Sequence, residues 1–228
     1  MSLSVETLVD ERFLEHLGAW QSSLASRPLA ELVAEAGGAD RVAILVVDMI
    51  RGFATEGPLA SPRVAALSAP IARFLELAHA AGVRSIYQLC DHHDPAAREF
   101  AAYPAHCVRG SSETELVPEL AGLPFAGEYQ VVAKNCLSSV WAGDWFPAAA
   151  HRFRRFVVVG DCTDLCVYHT AMPIKLYRDQ HQLDYEVLVP AQLVDTYDAP
   201  DHPADLFHRL FLYHMALNGV VVVRELTA

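Results

Sequence analysis

The stretch RRFVVVGDCTDLCVYHTA, Arg154 to Ala171, decides how the rest of the chain is read. Arg155 to Val159 is an apolar run with the composition of a strand buried on both faces, and Gly160 closes it. Thr163 or Asp164 then supplies a helix N-cap, because a short oxygen-bearing side chain can accept a hydrogen bond from a free helical N–H. Cys166 therefore falls in the first helical turn, where unpaired N–H groups and the helix dipole favour a thiolate over a thiol. A nucleophilic cysteine belongs in such a place. So does a small buried hydrophobe, which is what most free cysteines are. The partners found elsewhere in the chain decide between the two.

Working outward, apolar runs alternate with helical patterns. Strands are expected at Val42–Asp48, Arg84–Leu89, Tyr129–Ala133, Phe156–Gly160, Tyr185–Val189 and Val220–Arg224. Helices are expected near Val64–Ala81, Ser138–Ala150, Asp164–Arg178 and Ala204–Asn218, with a kink at Pro173. Nearly all-apolar strands alternating with helices indicate an α/β fold, a parallel sheet covered on both faces. Sites in such sheets form beyond the C-terminal ends of the strands. Residues 1–40 read as a helical N-terminal extension, one or two amphipathic helices closed by Gly37-Gly38, ahead of a single domain at 41–228. Packing against the sheet is their expected job.

The 228 residues suit one sizeable core, and just over half of them are hydrophobic. A formal charge of −11 disfavours nucleic acid and anionic membrane as partners, since both need Lys and Arg clusters. The one basic run, Arg152 to Arg155, leads into a strand and reads as its solvated entry. No apolar run approaches the roughly 18 residues of a membrane span, and MSLSVETLVDERF lacks the pattern of a signal peptide. A cytoplasmic protein is expected. Five cysteines, at 90, 107, 136, 162 and 166, are odd in number and scattered, which fits a reducing compartment better than a disulfide framework. Lysine occurs only at 134 and 175, against fifteen Arg. Lys134, kept beside polar residues at a strand end, hints at a need for a compact, tunable ammonium.

Three strand ends share one edge of a parallel sheet. Asp48 ends the first, Lys134 follows the third, and the fourth leads through GDCTDLC to Cys166. Their chemistry is complementary: a cation lowers a thiol pKa, and a carboxylate can take the thiol proton and return it to a leaving group. At the end of the second strand, CDHHDPAAREFAAYPAHC opens a long irregular stretch from Cys90 to Thr114. It offers Asp91, His93, Glu99 and His106, a set suited to Zn, Fe or Mn. Alternation turns His92 away, so His92 and Asp94 read as bystanders.

The order of these motifs resembles the isochorismatase-like cysteine hydrolases, and among them the nicotinamidase/pyrazinamidase branch. The shared features are Asp at the first strand end, Asp-x-His, the YPAHCVRGS segment, Lys at the next strand end, and GxxTDxCV, together covering about Val42 to Asp198. The resemblance implies a doubly wound six-stranded parallel sheet in the order 3-2-1-4-5-6. It implies a catalytic triad of Asp48, Lys134 and Cys166, and a cis peptide between Asp161 and Cys162. That bond would aim the N–H groups of Cys162 and Cys166 into an oxyanion hole. It further implies one divalent metal per chain, zinc first with Fe or Mn as alternatives, held by Asp91, His93 and His106, with Glu99 at the position of a fourth ligand. Phe53 and Tyr103 match positions that sandwich an aromatic ring, and Trp141 is a weaker candidate for substrate contact. His169, one turn past Cys166, is a rival base that reads better as a packed or capping group.

The implied activity is hydrolysis of nicotinamide to nicotinate and ammonia through a thioester, in NAD salvage, by a cytoplasmic homo-oligomer. A sibling hydrolase of another small amide, carbamoyl or ureido, is the alternative. A catalytically idle binding protein of the same fold and a thiol-redox role for Cys162 and Cys166 are the readings from other classes. The chain departs from the branch in a short segment after Lys134, in His at position 92, and in the N-terminal extension.

Overall fold

The computed structural model describes residues 11–228. The first ten residues of the N-terminal extension, including most of MSLSVETLVDERF, lie outside the described residues. The sheet contains β1 (Val42–Val47), β2 (Ser85–Asp91), β3 (Gln130–Lys134), β4 (Arg155–Asp161), β5 (Glu186–Pro190) and β6 (Val221–Val223). These pair in the order β3-β2-β1-β4-β5-β6, every pairing parallel. This is the 3-2-1-4-5-6 arrangement. A short segment, Val194–Asp195, continues the pairing beside the end of β4.

The two faces follow from alternation along buried strands. Val42, Ile44 and Val46 of β1 face one core cluster, and Ala43, Leu45 and Val47 face the other. On the first face lie α2 (Leu29–Ala36) and α3 (Ser68–Ala80), which contribute Leu29, Leu32, Ile71, Phe74 and Leu75. The second face is covered by α4 (Trp145–Arg152), α5 (Cys166–His181) and α6 (Ala204–Leu217), through Phe146, Val167, Ile174, Leu212 and Met215.

The N-terminal segment is woven into this body. Gly37, at φ +86°, ends α2 with its N–H on Ala34 O while Gly38 N–H reaches Val33 O, the closing pattern that a left-handed glycine permits. Before α2, Arg27–Pro28 pairs in parallel with Leu226–Thr227. The first helix, α1 (Glu11–Ser23), lies against α6, where Phe13, His16 and Trp20 surround the ring of Tyr213. Among the described residues no helix is long and apolar enough to cross a membrane.

Boundaries differ from expectation where side chains intervene. The helix expected over Val64–Ala81 is two pieces, Pro62–Ala65 and Ser68–Ala80, and that over Ser138–Ala150 starts only at Trp145 after a short 3₁₀ turn. The helix after β4 begins at Cys166, with Leu165 at the cap position and no side-chain cap. Neither Thr163 nor Asp164 caps it, because both side chains are engaged elsewhere: Thr163 Oγ1 with His208 Nδ1 at 2.9 Å, and Asp164 Oδ2 with His202 Nε2 at 2.8 Å. α5 continues through Pro173. The carbonyl that a proline leaves unbonded four residues earlier, that of His169, accepts the Ser138 hydroxyl at 2.7 Å.

Gly160 sits inside β4 rather than ending it, at φ +112° and paired with Val47. A Cβ there would collide with the backbone of Val47. Gly160→Ala is therefore expected to destabilise the chain by about 3 kcal/mol or more, from steric overlap plus strain at positive φ. Equilibrium denaturation in urea measures this, and a loss below about 1 kcal/mol would contradict the close packing of β1 on β4.

Candidate active site

The site assembles from strand register. In the β2–β3 ladder Asp91 is the partner of Lys134, so the last residue of each strand stands beside the other. Asp48 follows β1 with φ +54°, a left-handed conformation that Asp tolerates better than most residues. Its N–H still bonds Leu89 O at 2.9 Å, and the bend lets its Oδ1 accept the Asp91 N–H at 2.8 Å. The Lys134 ammonium, only 1 % exposed, then lies 2.7 Å from Asp48 Oδ2 and 2.6 Å from Asp91 Oδ1. Cys166 Sγ is 3.6 Å from the same nitrogen. The structure brings Asp48, Lys134 and Cys166 together, with Asp91 as a fourth member that joins them to the loop.

The charges interlock. Burial alone would strip the proton from Lys134, but Asp48 and Asp91 outweigh it and hold the ammonium well above the ordinary lysine range. Burial works to raise Asp91 as well, yet the Lys134 charge keeps that carboxyl below its usual value. Asp48 is pushed up to about 7, first by burial and then by the charge of Asp91, with Lys134 opposing. Burial also pushes the Cys166 thiol well above its usual range, against the pull of Lys134. The expected helix-terminal thiolate is thus outweighed by desolvation. The resting pair is a thiol beside a carboxyl that titrates near neutral pH.

The peptide between Asp161 and Cys162 is cis. Cys166 is the first helical residue, so its N–H has no carbonyl within the helix to serve.

Beside this group stands a second one. The loop after β2 is closed on itself by a bridge between His93 and Val108, with His93 N–H on Cys107 O and Arg109 N–H on His93 O, both at 2.9 Å. That closure sets His93 and His106 side by side, ring centroids 4.7 Å apart, with Phe100 packed edge-on against both. Asp91, His93, Glu99 and His106 each offer a ligand atom within 4.8 Å of the others. Asp91 Oδ2, His93 Nε2 and Glu99 Oε1 are buried with no hydrogen-bond partner. The outer nitrogens of the two imidazoles are taken: His93 Nδ1 lies 3.2 Å from Asn135 Oδ1, and His106 Nδ1 2.8 Å from Pro104 O. This fixes each Nε2 as a lone-pair donor toward the common centre. A nitrogen–carboxylate set with orphaned inward atoms fits a divalent cation.

A small cavity of about 30 Å³ separates the two groups, lined among others by Phe53, Tyr103, Asp91, His106, Cys162 and Cys166. Phe53 and Tyr103 both lie against His106. Trp141 is a correction: it is 75 % exposed and lines neither this cavity nor the chamber beside it, because the short 3₁₀ turn at Ser139–Trp141 points it to solvent. His169 faces away as well, its Nδ1 donating to Leu165 O at 2.8 Å. Asp94 pairs with Arg109 at 3.3 Å on the surface. Asn135, Phe100 and His202 are not singled out by the sequence, and Asp164 is singled out there only as a helix cap. Asn135 had a local signal in its position next to Lys134, whereas His202 is brought to Asp164 only by the tertiary fold.

Comparison with known proteins agrees with this fold. The chain is 27 % identical over 215 residues to Nicotinamidase 1 of Arabidopsis thaliana, covering 82 % of this chain and 86 % of that one. N-carbamoylsarcosine amidase from Thermoplasma acidophilum superposes with a TM-score of 0.64 at 24 % identity, over 81 % of this chain and 96 % of that one. The pyrazinamidase of Pyrococcus horikoshii, in complex with zinc, superposes with a TM-score of 0.65 at 21 % identity, over 81 % and 99 %. Residues 42–223 match the isochorismatase domain, a span that contains every strand end and loop ligand described above, and the chain belongs to that family of hydrolases.

Proposed function

We propose that this hydrolase is a nicotinamidase: it cleaves nicotinamide to nicotinate and ammonia through a thioester on Cys166. The observation that carries the reading is Lys134, whose ammonium touches Asp48, Asp91 and the Cys166 sulfur at once, beside a four-residue cluster with unpaired ligand atoms. The likeness to a plant nicotinamidase supports the choice of substrate.

The residues divide the reaction between them. Sγ of Cys166 attacks the carboxamide carbon as Asp48 takes the thiol proton. The N–H groups of Cys162 and Cys166 receive the oxyanion that forms. Asp48 returns the proton to the nitrogen, the C–N bond breaks, and ammonia leaves an acyl thioester. Water then attacks the thioester with Asp48 as base, the C–S bond breaks, and nicotinate departs as the thiol is restored. Lys134 keeps both Asp48 and the sulfur in place and balances the carboxylates. Asp91, His93, Glu99 and His106 would hold a divalent metal, zinc first with Fe or Mn as alternatives, since histidine with carboxylates accepts each of them. When bound, it supplies a Lewis-acidic partner for a ring nitrogen, and Phe53 and Tyr103 flank the ring.

A sibling hydrolase of carbamoyl or ureido compounds would use the same triad, and N-carbamoylsarcosine amidase shares the fold. The orphaned atoms of the second cluster favour a substrate with its own metal-binding atom. Ammonia release from a panel of small amides separates the two.

Three outcomes are expected. Cys166→Ala should lower turnover by at least about 10³-fold with the unfolding midpoint unchanged. A variant that stays active would remove the nucleophile from this position. Elemental analysis should find close to one divalent metal per chain, and His93→Ala should cut that occupancy sharply. Undiminished metal in the variant would move the site elsewhere.

The third outcome concerns the ring. Benzamide has the shape and scissile bond of nicotinamide but no ring nitrogen, and pyrazinamide keeps one. Leaving a buried polar partner unmatched costs about 1–3 kcal/mol, so kcat/KM for benzamide should fall roughly ten- to a hundredfold while pyrazinamide is turned over. Equal rates on benzamide and nicotinamide would show that nothing in the site reads the nitrogen.

A further inference from the structure

The turn that presents Cys166 is fastened to a segment that no step of the reaction uses. Asp164 is buried, and its Oδ2 lies 2.8 Å from Nε2 of His202. The other ring nitrogen, Nδ1, lies 3.0 Å from the carbonyl oxygen of Tyr197. A carbonyl oxygen only accepts, so Nδ1 donates to Tyr197, and Nε2 shares a hydrogen bond with the Asp164 carboxyl on its other side. The ring is stacked between Tyr197 and Phe207, with centroids 4.0 and 3.9 Å away. Ala199 and His202 exchange backbone hydrogen bonds of 3.1 and 3.0 Å, and Asp198 Oδ1 accepts the Ala204 N–H at 2.8 Å. The segment from Tyr197 to Ala204 is therefore closed on itself and clamped to the nucleophile's turn.

That segment is one wall of a chamber of about 350 Å³. The chamber adjoins the small cavity at Cys166 and shares Phe53, Leu59, Tyr103, Cys162 and Leu165 with it. Beyond those residues it runs between Pro58–Pro62 and Tyr197–Asp198, and most of what lines it is aromatic or aliphatic. A pyridine ring held at Cys166 is larger than the small cavity and extends past Phe53 and Tyr103 into the chamber, leaving the part between Pro58–Pro62 and Tyr197–Asp198 for a substituent.

We propose that the chamber is a substrate subsite for an uncharged apolar substituent on the amide, with the Asp164–His202 clamp positioning Tyr197 as its wall. The proposal rests on the amidohydrolase reading given above. Aromatic and aliphatic walls take up hydrocarbon, while the Asp198 carboxylate repels an anionic tail. The substrate class that follows is a ring carboxamide bearing an alkyl or aryl group directed away from the scissile bond.

The test compares nicotinamide with pyridine-3-carboxamides carrying a butyl group at each free ring carbon in turn, on the metal-loaded chain. One isomer should show a KM at least about tenfold below that of nicotinamide, as expected for several buried methylenes, and the same isomer ending in a carboxylate should lose the advantage. His202→Phe keeps a stacked ring but removes both hydrogen bonds. Tyr197→Ala removes the wall without leaving Asp164 unpaired, and serves if the first variant fails to fold. In either variant the ratio of kcat/KM, butyl isomer over nicotinamide, should drop at least about fivefold. A merely structural role would lower both substrates alike and leave that ratio unchanged, which would overturn the clamp. No preference for any butyl isomer would overturn the subsite and reduce the chamber to an entry path. Protection of Cys166 from iodoacetamide by the same compounds is read in parallel. If nothing is hydrolysed but the butyl isomer protects at tenfold lower concentration than nicotinamide, the amidohydrolase reading fails and the subsite stands.

Discussion

One buried ammonium holds this site together. Lys134 lies between Asp48 and Asp91, and all three side chains are essentially out of water. Two carboxylates at that separation could not both stay ionised without the cation, and a lysine at that depth could not stay protonated without the carboxylates. Each group's charge state is the condition for the others. The result is a lysine held firmly protonated and an Asp48 poised near neutrality, which is what a proton carrier beside a thiol requires.

The sheet makes this cluster possible. Parallel register pairs Asp91 with Lys134 across β2 and β3, and the same edge carries Asp48 after β1 and the Cys166 turn after β4. Backbone strands fix where these residues start, so only short side-chain reaches remain. Asp91 has two duties as a consequence. One oxygen faces Lys134, and the other faces the histidines of the loop. The surroundings of Cys166 and the histidine cluster therefore share a residue and cannot be adjusted independently.

The Cys166 turn is held from outside rather than by its own helix. The two side chains best suited to capping α5 reach instead to His208 and to His202, on α6 and the segment before it. The structure exchanges a local cap, worth about 1 kcal/mol, for two tertiary hydrogen bonds that tie the Cys166 turn to α6 and the segment before it. Gly160 contributes from below, since the close approach of β4 to Val47 leaves no room for a side chain.

Much of this was legible in the residues alone. Apolar runs broken by helical periods determine a parallel sheet, and strand ends carrying Asp48, Lys134 and Cys166 determine which groups converge, because a parallel sheet puts all its C-terminal ends on one edge. The motif order further suggested Asp91, His93, Glu99 and His106 as a set, which the loop closure at His93 and Val108 brings within ligand distance. What lay beyond reach depends on contacts far apart in the chain. The protonation of Cys166 follows from burial among carboxylates, which no local pattern encodes. The missing helix cap follows from His202 and His208, some forty residues downstream of the turn they engage. Trp141 reads as a site aromatic in the sequence, yet a 3₁₀ turn sends it to solvent. Periodicity and strand ends are properties of short segments and are written in the sequence, whereas charge state, chamber walls and side-chain partners are set by which segments the fold packs against one another.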